Sequence, residues 1–354
     1  MNKRAIIAMS GGVDSSVAAY IMKERGYDIM GVTLRLFDND DIGVTEKSCC
    51  SLSDVEDAKS VARGLGIEHY TFNFRDSFKK EVIDRFIDAY ENCRTPNPCI
   101  DCNSYIKFKR LLERAAELDC DTIVTGHYCQ IEKQGSRYLL KKGIDATKDQ
   151  SYVLYRMTQQ QLEHTDFPLG SLTKSEVREI AYAQGFSNAK KHDSQDICFV
   201  PDGDYASFIE SYSGRKYPVG DFVDLQGNVL GEHKGLIRYT TGQRKGLGLA
   251  LPKPMYVCRI CPESNTVVLG DNADLFSSEL EADNINLIAA DSLDGAIKAE
   301  VKVRYSQKAQ PATVYQTDDD RIRVIFDEPQ RAITSGQAAV IYDGDTVIGG
   351  GTIL

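Results

Sequence analysis

The segment Ser10-Gly-Gly-Val-Asp-Ser-Ser16, the N-terminal glycine loop, constrains the fold of this chain more than any other feature. It follows a short apolar run at residues 4–9 and precedes apolar residues at helical spacing that end near Gly26. Glycines let the backbone turn sharply and approach a ligand, while serine hydroxyls and helix N-terminal N–H groups bind anions. The segment therefore predicts a strand, a turn and a helix that hold a phosphate group. A plain glycine turn capped by Asp14 or Ser15 is the alternative.

Strand and helix patterns alternate through the first part of the chain. Strand patterns occupy residues 29–36, 67–74 and 122–125, and helical patterns occupy residues 55–65, 78–90 and 106–118. The capping-box sequence Thr173-Lys-Ser-Glu176 predicts a further helix that ends near Gly185. This alternation predicts an α/β fold, in which a parallel sheet carries helices on both faces. Because ligands bind such sheets at the carboxyl ends of the strands, we expect the loop after Met9, Leu34 and Gly126 to meet in one crevice.

The pattern changes beyond about residue 205. Helical periodicity fades, glycine and proline interrupt short runs, and strand patterns such as residues 301–305 and 338–342 dominate. These features predict an α/β domain over residues 1–205, a small mixed domain over 206–274 and a C-terminal β-barrel, or a sandwich, over 275–354.

Composition narrows the class of protein. The 354 residues include 42 Lys or Arg and 52 Asp or Glu, which gives a formal net charge of −10. The proportions of apolar and charged residues are ordinary for a globular protein, and they exclude a disordered or collagenous chain. No apolar stretch reaches the roughly 18 residues of a membrane span, and the apolar run near the N-terminus is too short for a signal peptide. We therefore expect a cytoplasmic protein whose ten cysteines are buried, catalytic or metal-binding rather than paired in disulfides.

The net acidity argues against a protein that coats nucleic acid without selectivity, but it leaves room for a local basic face. Any one basic cluster is more commonly a solvated surface than an RNA contact. The clusters that are candidates for phosphate contacts are Lys107, Lys109 and Arg110; Lys141 and Lys142; Lys190 and Lys191; Arg244 and Lys245.

The cysteines fall into different sequence settings. In Thr95-Pro-Asn-Pro-Cys99-Ile-Asp-Cys102-Asn103, the prolines predict an extended, rigid loop, and Cys102 stands just before a predicted helix. A cysteine at a helix N-terminus has a lowered pKa, so we expect Cys102 to be rich in thiolate. Cys198 follows a polar, turn-like segment at residues 194–197. The Cys-x-x-Cys spacing of Cys99 and Cys102 suits redox or metal chemistry, although a single buried cysteine is more commonly a packing residue.

The remaining cysteines carry weaker signals. The segment Cys258-Arg-Ile-Cys261 overlaps a strand-like run at residues 255–260, where side chains three positions apart face opposite sides, so we expect a structural role. The adjacent Cys49 and Cys50 are open to a functional role. Cys93, Cys120 and Cys129 are interpreted as packing residues.

With SGGVDSS, TPNPCIDCN and SQDICF in this order, the chain resembles the tRNA-specific 2-thiouridylase family of the PP-loop ATP pyrophosphatase superfamily. The glycine loop lacks the Gly-Lys-Ser/Thr of a P-loop that cleaves between the β and γ phosphates. The resemblance extends along the whole chain through further motifs, which are GHY at 126–128, KDQSYVLY at 148–155, YTTGQRKGLG at 239–248, VRYSQ at 303–307 and YDGDTVIGGGTI at 342–353.

The resemblance implies a tRNA-uridine 2-sulfurtransferase that adenylates O2 of the wobble uridine with ATP, releases pyrophosphate and replaces the oxygen by sulfur. Cys102 matches the attacking cysteine and Cys198 matches the cysteine that carries the persulfide. The positions that match the ATP site are Ala8, Met9, Ser10, Gly11, Gly12, Val13, Asp14, Ser15, Leu34 and Gly126; those that match the target-base site are Asn97, Pro98 and Cys99; those that match tRNA contacts are Lys148, Asp149, Gln150, Arg304 and Tyr305.

The resemblance also implies cofactors and partners. ATP and Mg²⁺ would serve adenylation. The expected partners are tRNAs with a wobble uridine, those that accept Lys, Glu and Gln, and a cysteine desulfurase, a sulfur-relay protein or free sulfide as sulfur source.

Cys99 departs from the family pattern, because much of the family has aspartate at this position. Cys99, Cys102 and Cys198 also resemble the three cysteines with which some tRNA thiolation enzymes hold a [4Fe–4S] cluster. A cluster on these three residues, instead of or besides a persulfide, is therefore a second hypothesis for the sulfur carrier. Two other functions stay open: another PP-loop ATP-dependent amide or guanidino ligase, and a non-catalytic protein that binds tRNA or an iron–sulfur cluster.

Overall fold

The computed structural model of the chain describes residues 3–38, 52–191 and 197–354. Cys49, Cys50 and residues 194–196 of the motif before Cys198 lie outside the described residues. The helices are α1 Val13–Glu24, α2 Leu52–Leu65, α3 Arg75–Phe78, α4 Asp84–Glu91, α5 Pro98–Asp101, α6 Leu111–Glu117, α7 Gln159–Glu163, α8 Lys174–Ala183 and α9 Tyr205–Ser213, with π-helical segments at Lys79–Ile83 and Cys102–Arg110 and 3₁₀ segments at Ser151–Leu154, Leu236–Arg238 and Asn272–Leu275.

The strands are β1 Arg4–Ala8, β2 Asp28–Arg35, β3 His69–Asn73, β4 Thr122–Val124, β5 Cys129–Gln134, β6 Arg137–Lys142, β7 Thr165–Asp166, β8 Gly220–Val223, β9 Val229–His233, β10 Tyr256–Cys261, β11 Thr266–Gly270, β12 Phe276–Leu287, β13 Ala296–Lys302, β14 Gln310–Asp318, β15 Arg321–Arg331, β16 Ala338–Asp343 and β17 Thr346–Ile353. The described chain divides into two compact units, one of residues 1–83, 98–203 and 345–347 and one of residues 84–97, 204–344 and 348–354.

The first unit is built on a parallel five-stranded sheet in the order β3-β2-β1-β4-β7. Ile7 of β1 is opposite Gly31 of β2 and Val124 of β4, and it is fully buried. The apolar face of α1 packs into the same core through Val17 and Ala18. The predicted parallel α/β fold is confirmed. Because the chain leaves β1 toward β2 and β3 and returns to β4 on its other side, the strand order reverses beside β1, which is where such sheets bind ligands.

Two features of this unit differ from the sequence pattern. Residues 106–118 were predicted as one α-helix, but the described helix begins at Pro98, continues as a π-helix through Arg110 and ends as α6. An antiparallel hairpin of β5 and β6, paired from Cys129 with Lys142 to Gln134 with Arg137, was not predicted. The capping box before α8 is confirmed, since Thr173 accepts from the Glu176 N–H and the Glu176 carboxylate accepts from the Thr173 N–H.

The second unit contains two β structures with separate cores. Strands β8 to β11 form a four-stranded sheet in the order β10-β11-β8-β9 around Phe222 and Val257. The strands from β12 onward run in the order β12-β15-β14-β13-β16-β17, and pairing of β12 with β17 closes them into a barrel around Val314 and Val324. The prediction of a C-terminal barrel is confirmed, and the sandwich alternative is wrong.

Local assignments in this unit need two corrections. The strand predicted at residues 301–305 ends at Lys302, because the chain turns there and the Gln307 N–H donates to the Arg304 carbonyl. The sequence pattern predicts little helix beyond about residue 205, but the regular helix α9 begins there, at Tyr205. The strand at residues 338–342 is confirmed as β16. The division at residues 205 and 274 stays a prediction.

Among the described helices, none combines the length and the apolar character that a membrane crossing requires.

Candidate functional site

A cavity of about 330 Å³ opens in the first unit at the carboxyl ends of three parallel strands. Ala8, Met9 and Ser10 line it where β1 ends, and Thr33 and Leu34 line it from β2. Thr125, Gly126 and His127 line it directly after β4. The strand ends that the sequence predicted to converge therefore face one cavity.

The N-terminal glycine loop reaches this cavity through close backbone contacts. Gly11 has a φ of +76°, and a Cβ there would lie 2.3 Å from the Asp54 carbonyl oxygen. A Cβ at Gly126 would lie 2.9 Å from the Ser15 backbone nitrogen. Any larger residue at either position would push the loop away from its neighbours.

Helix α1 begins at the loop without a side-chain cap, because its N-cap residue is Gly12. The Ser15 hydroxyl donates to the Gly12 carbonyl at 3.0 Å and accepts from the Ser10 N–H at 3.2 Å, which holds the turn closed. The first N–H groups of a 12-residue helix thus carry the partial positive charge of the helix dipole beside the cavity. This arrangement suits a bound phosphate.

Side chains distant in sequence brace the loop. The Lys174 ammonium contacts both Asp14 carboxylate oxygens at 2.7 and 2.8 Å, and the Tyr128 hydroxyl donates to Asp14 at 2.7 Å. The Asn188 side-chain amide donates to the Gly11 carbonyl at 2.9 Å. These contacts keep the Asp14 carboxylate and the Gly11 carbonyl in place.

Lys191 is not the solvated cation that its sequence setting suggests. It donates to Asp54, to Asp57 at 2.8 Å and to the Gly11 carbonyl at 3.3 Å. Burial disfavours its charged form, but the hydrogen bonds that it donates to both carboxylates outweigh that effect and raise the pKa of Lys191. It therefore stays charged and stabilises the loop.

Cys99, Cys102 and Cys198 all line the same cavity as the glycine loop. Cys99 is exposed, Cys102 is 9 % exposed and Cys198 is half-buried. Phe199 fixes the position next to Cys198, because its ring packs edge-to-face on Phe78 with centroids 5.8 Å apart. The tertiary fold thus brings the three sequence-predicted cysteines to one place.

The expected low pKa of Cys102 is wrong for this structure. Cys102 does not precede a helix but lies inside the helical run that starts at Pro98, and its burial raises the pKa of the thiol to about 11. The charge of Lys107 opposes this effect, while Cys99 and Asp101 add to it. Desolvation is the largest cause because the sulfur has little contact with water.

Lys107 lines the cavity, although its sequence setting suggested an RNA phosphate contact. It follows Cys102 by five residues, and the intervening π-helix bonds each N–H to the carbonyl five residues earlier, as Leu111 does to Ile106. This spacing places Lys107 on the Cys102 side of the helix. No carboxylate of the described residues pairs with the Lys107 ammonium, so its charge is available to an anion in the cavity.

His127 is a neutral group in the wall of this cavity. Complete burial lowers its pKa well below the usual range, and the Lys107 charge adds to that effect. Its Nδ1 is 2.6 Å from the Thr125 hydroxyl, and its ring packs against Phe108 and Phe167. His127 therefore contributes hydrogen bonding and shape rather than charge.

The cysteines do not fit a metal cluster in their described positions. Across residues 3–38, 52–191 and 197–354, no three His, Cys, Asp or Glu side chains are grouped so that they could hold a metal ion. Mg²⁺ needs fewer protein ligands, since it binds through one or two carboxylates together with substrate phosphates. Asp14 is the carboxylate in the cavity lining and fits that role.

The residues predicted to contact tRNA have definite structural partners. Asp149 accepts from the Gly143 and Ser151 N–H groups at 3.2 Å, and Gln150 accepts from the Tyr128 N–H at 3.0 Å. Gln150 also lines the cavity, whereas Asn97 belongs to the second unit. Lys148 is half-buried.

Arg304 and Tyr305 lie in the second unit. One guanidinium nitrogen of Arg304 donates to the carbonyls of Thr241 and Ala332 and to the Thr334 hydroxyl. Tyr305 is 43 % exposed, and the Lys302 ammonium lies 5.3 Å from its ring centroid.

Sequence reasoning missed the loop-bracing roles of Tyr128, Lys174, Asn188 and Lys191. Lys174 and Asn188 reach the loop from 160 and 177 residues away, and no local pattern shows such pairs. One missed feature did have a signal: Asn97-Pro98 has the order of an N-cap followed by proline at the first helical position, which marks the helix start that buries Cys102.

Comparison with known proteins covers the whole chain. The family models described as the tRNA methyl transferase HUP domain, the tRNA methyl transferase PRC-barrel domain and the aminomethyltransferase β-barrel domain match residues 3–202, 206–271 and 277–353. A tRNA-specific 2-thiouridylase of Clostridioides difficile is 53 % identical over 100 % of this chain and 98 % of its own length. One of Clostridium acetobutylicum is 50 % identical over 100 % of both chains. The chain belongs to the tRNA-specific 2-thiouridylase family.

The resemblance inferred from the motifs is therefore confirmed. Among solved structures, a 4-thiouridine synthetase–RNA complex with bound ATP aligns with 59 % of this chain and 50 % of its own chain, at 19 % identity and a TM-score of 0.39. That similarity is too distant to carry an argument, so the family assignment depends on the full-length relatives.

Proposed function

We propose that this enzyme 2-thiolates the wobble uridine of tRNA with ATP in two steps that share one cavity. The observation that carries the proposal is that the N-terminal glycine loop and Cys99, Cys102 and Cys198 line the same cavity. An activated oxygen and an incoming sulfur must meet at a single carbon atom. A common cavity for phosphate-binding and sulfur-bearing groups meets that requirement.

In the first step, uridine O2 attacks the α-phosphorus of ATP, the bond to the β-phosphate breaks, and pyrophosphate leaves. ATP would bind against Ala8 to Ser15, Leu34 and Gly126, with the α1 N-terminus facing the phosphates. Lys107 adds a positive charge in the same space. Bound Mg²⁺ would neutralise phosphate charge, and Asp14, held by Lys174 and Tyr128, is the carboxylate that fits it.

In the second step, the terminal sulfur of a persulfide on Cys198 attacks C2 and AMP leaves with the former O2. The Cys102 thiolate then attacks the Cys198 sulfur, so a Cys102–Cys198 disulfide forms and the uridine keeps the terminal sulfur at C2. A thiol reductant reduces the disulfide, and a cysteine desulfurase, directly or through a sulfur-relay protein, renews the persulfide.

The target base would lie against Asn97, Pro98 and Cys99, and Lys148 to Gln150 with Arg304 and Tyr305 would contact the tRNA. Gln150, one of the residues assigned to the tRNA, also lines the cavity and accepts from the Tyr128 N–H. Cys99 is exposed, and among the described residues it belongs to no group of three His, Cys, Asp or Glu side chains that could hold a metal ion. We therefore assign it to the base site rather than to a cluster. No step of the proposed reaction passes through an iron–sulfur centre.

The test supplies the purified enzyme with ATP, Mg²⁺, unmodified tRNA, a cysteine desulfurase and cysteine. We expect tRNA-dependent release of pyrophosphate and AMP, with 2-thiouridine detected by mass spectrometry of the digested tRNA. Cys198→Ser should release pyrophosphate but form less than about 1 % of the thiolated product, whereas Cys258→Ser, in the second unit, should behave as the wild type.

Two outcomes would contradict this proposal. Pyrophosphate release that depends on a small amino acid rather than on tRNA would favour the amide or guanidino ligase. Binding of tRNA without AMP formation would favour a non-catalytic protein.

The cluster hypothesis has its own measurement. Protein purified without oxygen should contain no stoichiometric iron or labile sulfide, and Cys99→Asp should thiolate tRNA. One cluster per chain together with loss of thiolation in Cys99→Asp would overturn the persulfide route.

A further inference from the structure

A second cavity, of about 780 Å³, lies entirely within the second unit, and five cations line it. These cations are Lys234, Arg238, Arg244, Lys245 and Arg304. We call this space the basic cavity. Asp204 is the carboxylate in its lining, and hydrogen bonds from the Ser207 side chain and backbone hold its pKa low, so it is ionised. Positive charge dominates the cavity in a chain whose net charge is −10.

The cations differ in how far their charge is already balanced. Arg238 pairs with Glu210 at 2.7 Å, and one guanidinium nitrogen of Arg304 donates to the carbonyls of Thr241 and Ala332. Within the described residues, no carboxylate pairs with Lys234, Arg244 or Lys245. Arg244 and Lys245 are exposed neighbours, so both are available to an anion without breaking an internal contact.

The loop that presents these two residues, 240–248, is held in a defined shape. The Thr240 N–H donates to the Gln243 side chain at 3.0 Å, and the Gln243 amide donates to the Lys245 carbonyl at 3.1 Å. Gly242 has a φ of +87°, and a Cβ there would lie 2.7 Å from the Ala332 Cβ. Leu247 anchors the far end in the core of the four-stranded sheet. A fixed loop loses little conformational entropy when it binds.

The same loop is tied to the segment that leads to the target-base residues. The Thr240 hydroxyl is 3.2 Å from the Thr95 hydroxyl, and Gln337 donates to the Thr95 carbonyl at 2.7 Å. Thr95 precedes Asn97 by two positions in the chain. The loop that lines the basic cavity is therefore hydrogen-bonded to the chain two positions before the target-base motif.

We propose that the basic cavity binds phosphodiester groups of the substrate RNA at nucleotides other than the target uridine. Two adjacent unpaired cations on a rigid loop match consecutive backbone phosphates, and the volume exceeds what one inorganic phosphate needs. This inference depends on the proposed function. It adds a binding site for the RNA backbone in YTTGQRKGLG, a motif to which the reaction assigns no role.

The experiment measures binding of the full-length enzyme to unmodified tRNA at several salt concentrations. Arg244→Gln/Lys245→Gln should weaken binding by about 10- to 100-fold and reduce the slope of log K against log[salt] by about 1.4 to 1.8, the release expected for two phosphates. Lys216→Gln/Lys298→Gln is the matched control, because it removes the same charge from exposed positions outside the cavity. It should bind within about twofold of the wild type. Arg244→Lys/Lys245→Arg keeps the charge and should restore most of the affinity.

Equal affinity and equal slope in the two Gln variants would overturn the proposal. Normal tRNA binding together with weakened binding of an acidic sulfur-relay protein would also overturn it and assign the cavity to a protein partner. An unchanged thermal unfolding midpoint of the Gln variant excludes misfolding as the cause of weaker binding. If the Gln variant is unstable, the tRNA affinity of Arg244→Lys/Lys245→Arg tests the proposal instead. If the wild-type enzyme binds no tRNA, the proposed function fails. If the wild type binds tRNA but the Gln variant binds it equally well, only the proposed role of the basic cavity is refuted.

Discussion

The reactivity of Cys102 depends on how its helix buries the sulfur. Burial raises the pKa of the thiol to about 11, and the Lys107 charge acts in the opposite direction. In the proposed reaction a Cys102 thiolate attacks the Cys198 sulfur, whereas an exposed thiolate would react with other disulfides in solution. The burial of Cys102 therefore keeps the thiol mostly protonated near neutral pH, and the Lys107 charge limits that effect.

We predict that alkylation of Cys102 by iodoacetamide rises about tenfold per pH unit from pH 7 to pH 10. The raised pKa keeps the thiol protonated at neutral pH, so the thiolate fraction grows until the pH nears the pKa. Lys107→Met should slow alkylation roughly three- to tenfold at each pH, because it removes the charge that favours the thiolate. Peptide mass spectrometry separates Cys102 from the other cysteines.

The control for this prediction is Lys109→Met on the same helix, where the side chain is exposed and does not line the cavity. It should leave the profile unchanged. A Cys102 alkylation rate that levels off near pH 8 in the wild type would show that the sulfur is not desolvated.

At the scale of elements, helix α8 helps to hold the glycine loop in position through a contact with Asp14. Its first residue, Lys174, forms the ion pair with Asp14, and its N–H donates to Asp145 at 2.9 Å. The capping box of Thr173 and Glu176 determines where this helix begins. The start of α8 therefore sets the position of the Lys174 ammonium against the Asp14 carboxylate of the glycine loop.

We expect Thr173→Ala to lower the free energy of unfolding by about 1 kcal/mol and to raise the KM for ATP about three- to tenfold. The loss of the cap frays the turn that carries Lys174. Thr158→Ala is a matched control, because Thr158 and Gln161 form the same capping box on α7, which contributes no residue to the cavity.

Thr158→Ala should cost similar stability and leave the KM for ATP unchanged. Chemical denaturation and steady-state pyrophosphate release measure the two effects. Equal KM values in both variants would mean that α8 does not position the ATP site.

At the scale of the whole molecule, the chain does not divide into consecutive segments. Residues 84–97 belong to the compact unit formed mainly by residues 204–344. Tyr90 of α4 stacks on Tyr205 with ring centroids 4.5 Å apart, and Glu91 accepts from Arg215 and Tyr217. The stability of the C-terminal part thus includes a helix encoded in the N-terminal half.

A fragment of residues 204–354 should therefore expose the apolar surface that α4 covers. We expect it to bind a hydrophobic dye and to unfold at least about 5 °C below the full chain, because a buried aromatic contributes roughly 3 kcal/mol or more. Addition of a peptide of residues 84–97 should raise the midpoint. The same peptide with Tyr90→Ala and Glu91→Gln is the control and should have no effect. A fragment that is as stable alone as in the full chain would refute this coupling.

Sequence by itself determined the parallel α/β sheet, the C-terminal barrel, the α8 capping box and the residues that identify the family. These depend on hydrophobic period, on glycine geometry and on side-chain-to-backbone bonds a few residues apart, all of which are local. Leu34 and Gly126 could be assigned to the crevice because parallel strands end on one edge.

Only the tertiary structure decided the chemistry of the individual groups. The burial that raises the pKa of Cys102 and the pairing of Asp14 with Lys174 both depend on segments far apart in the chain. The π-helical turn that brings Lys107 to the Cys102 side is local, but no pattern in the sequence indicated it. The physical reason is that charge and reactivity follow desolvation and neighbouring dipoles, and these exist only after distant residues have packed together.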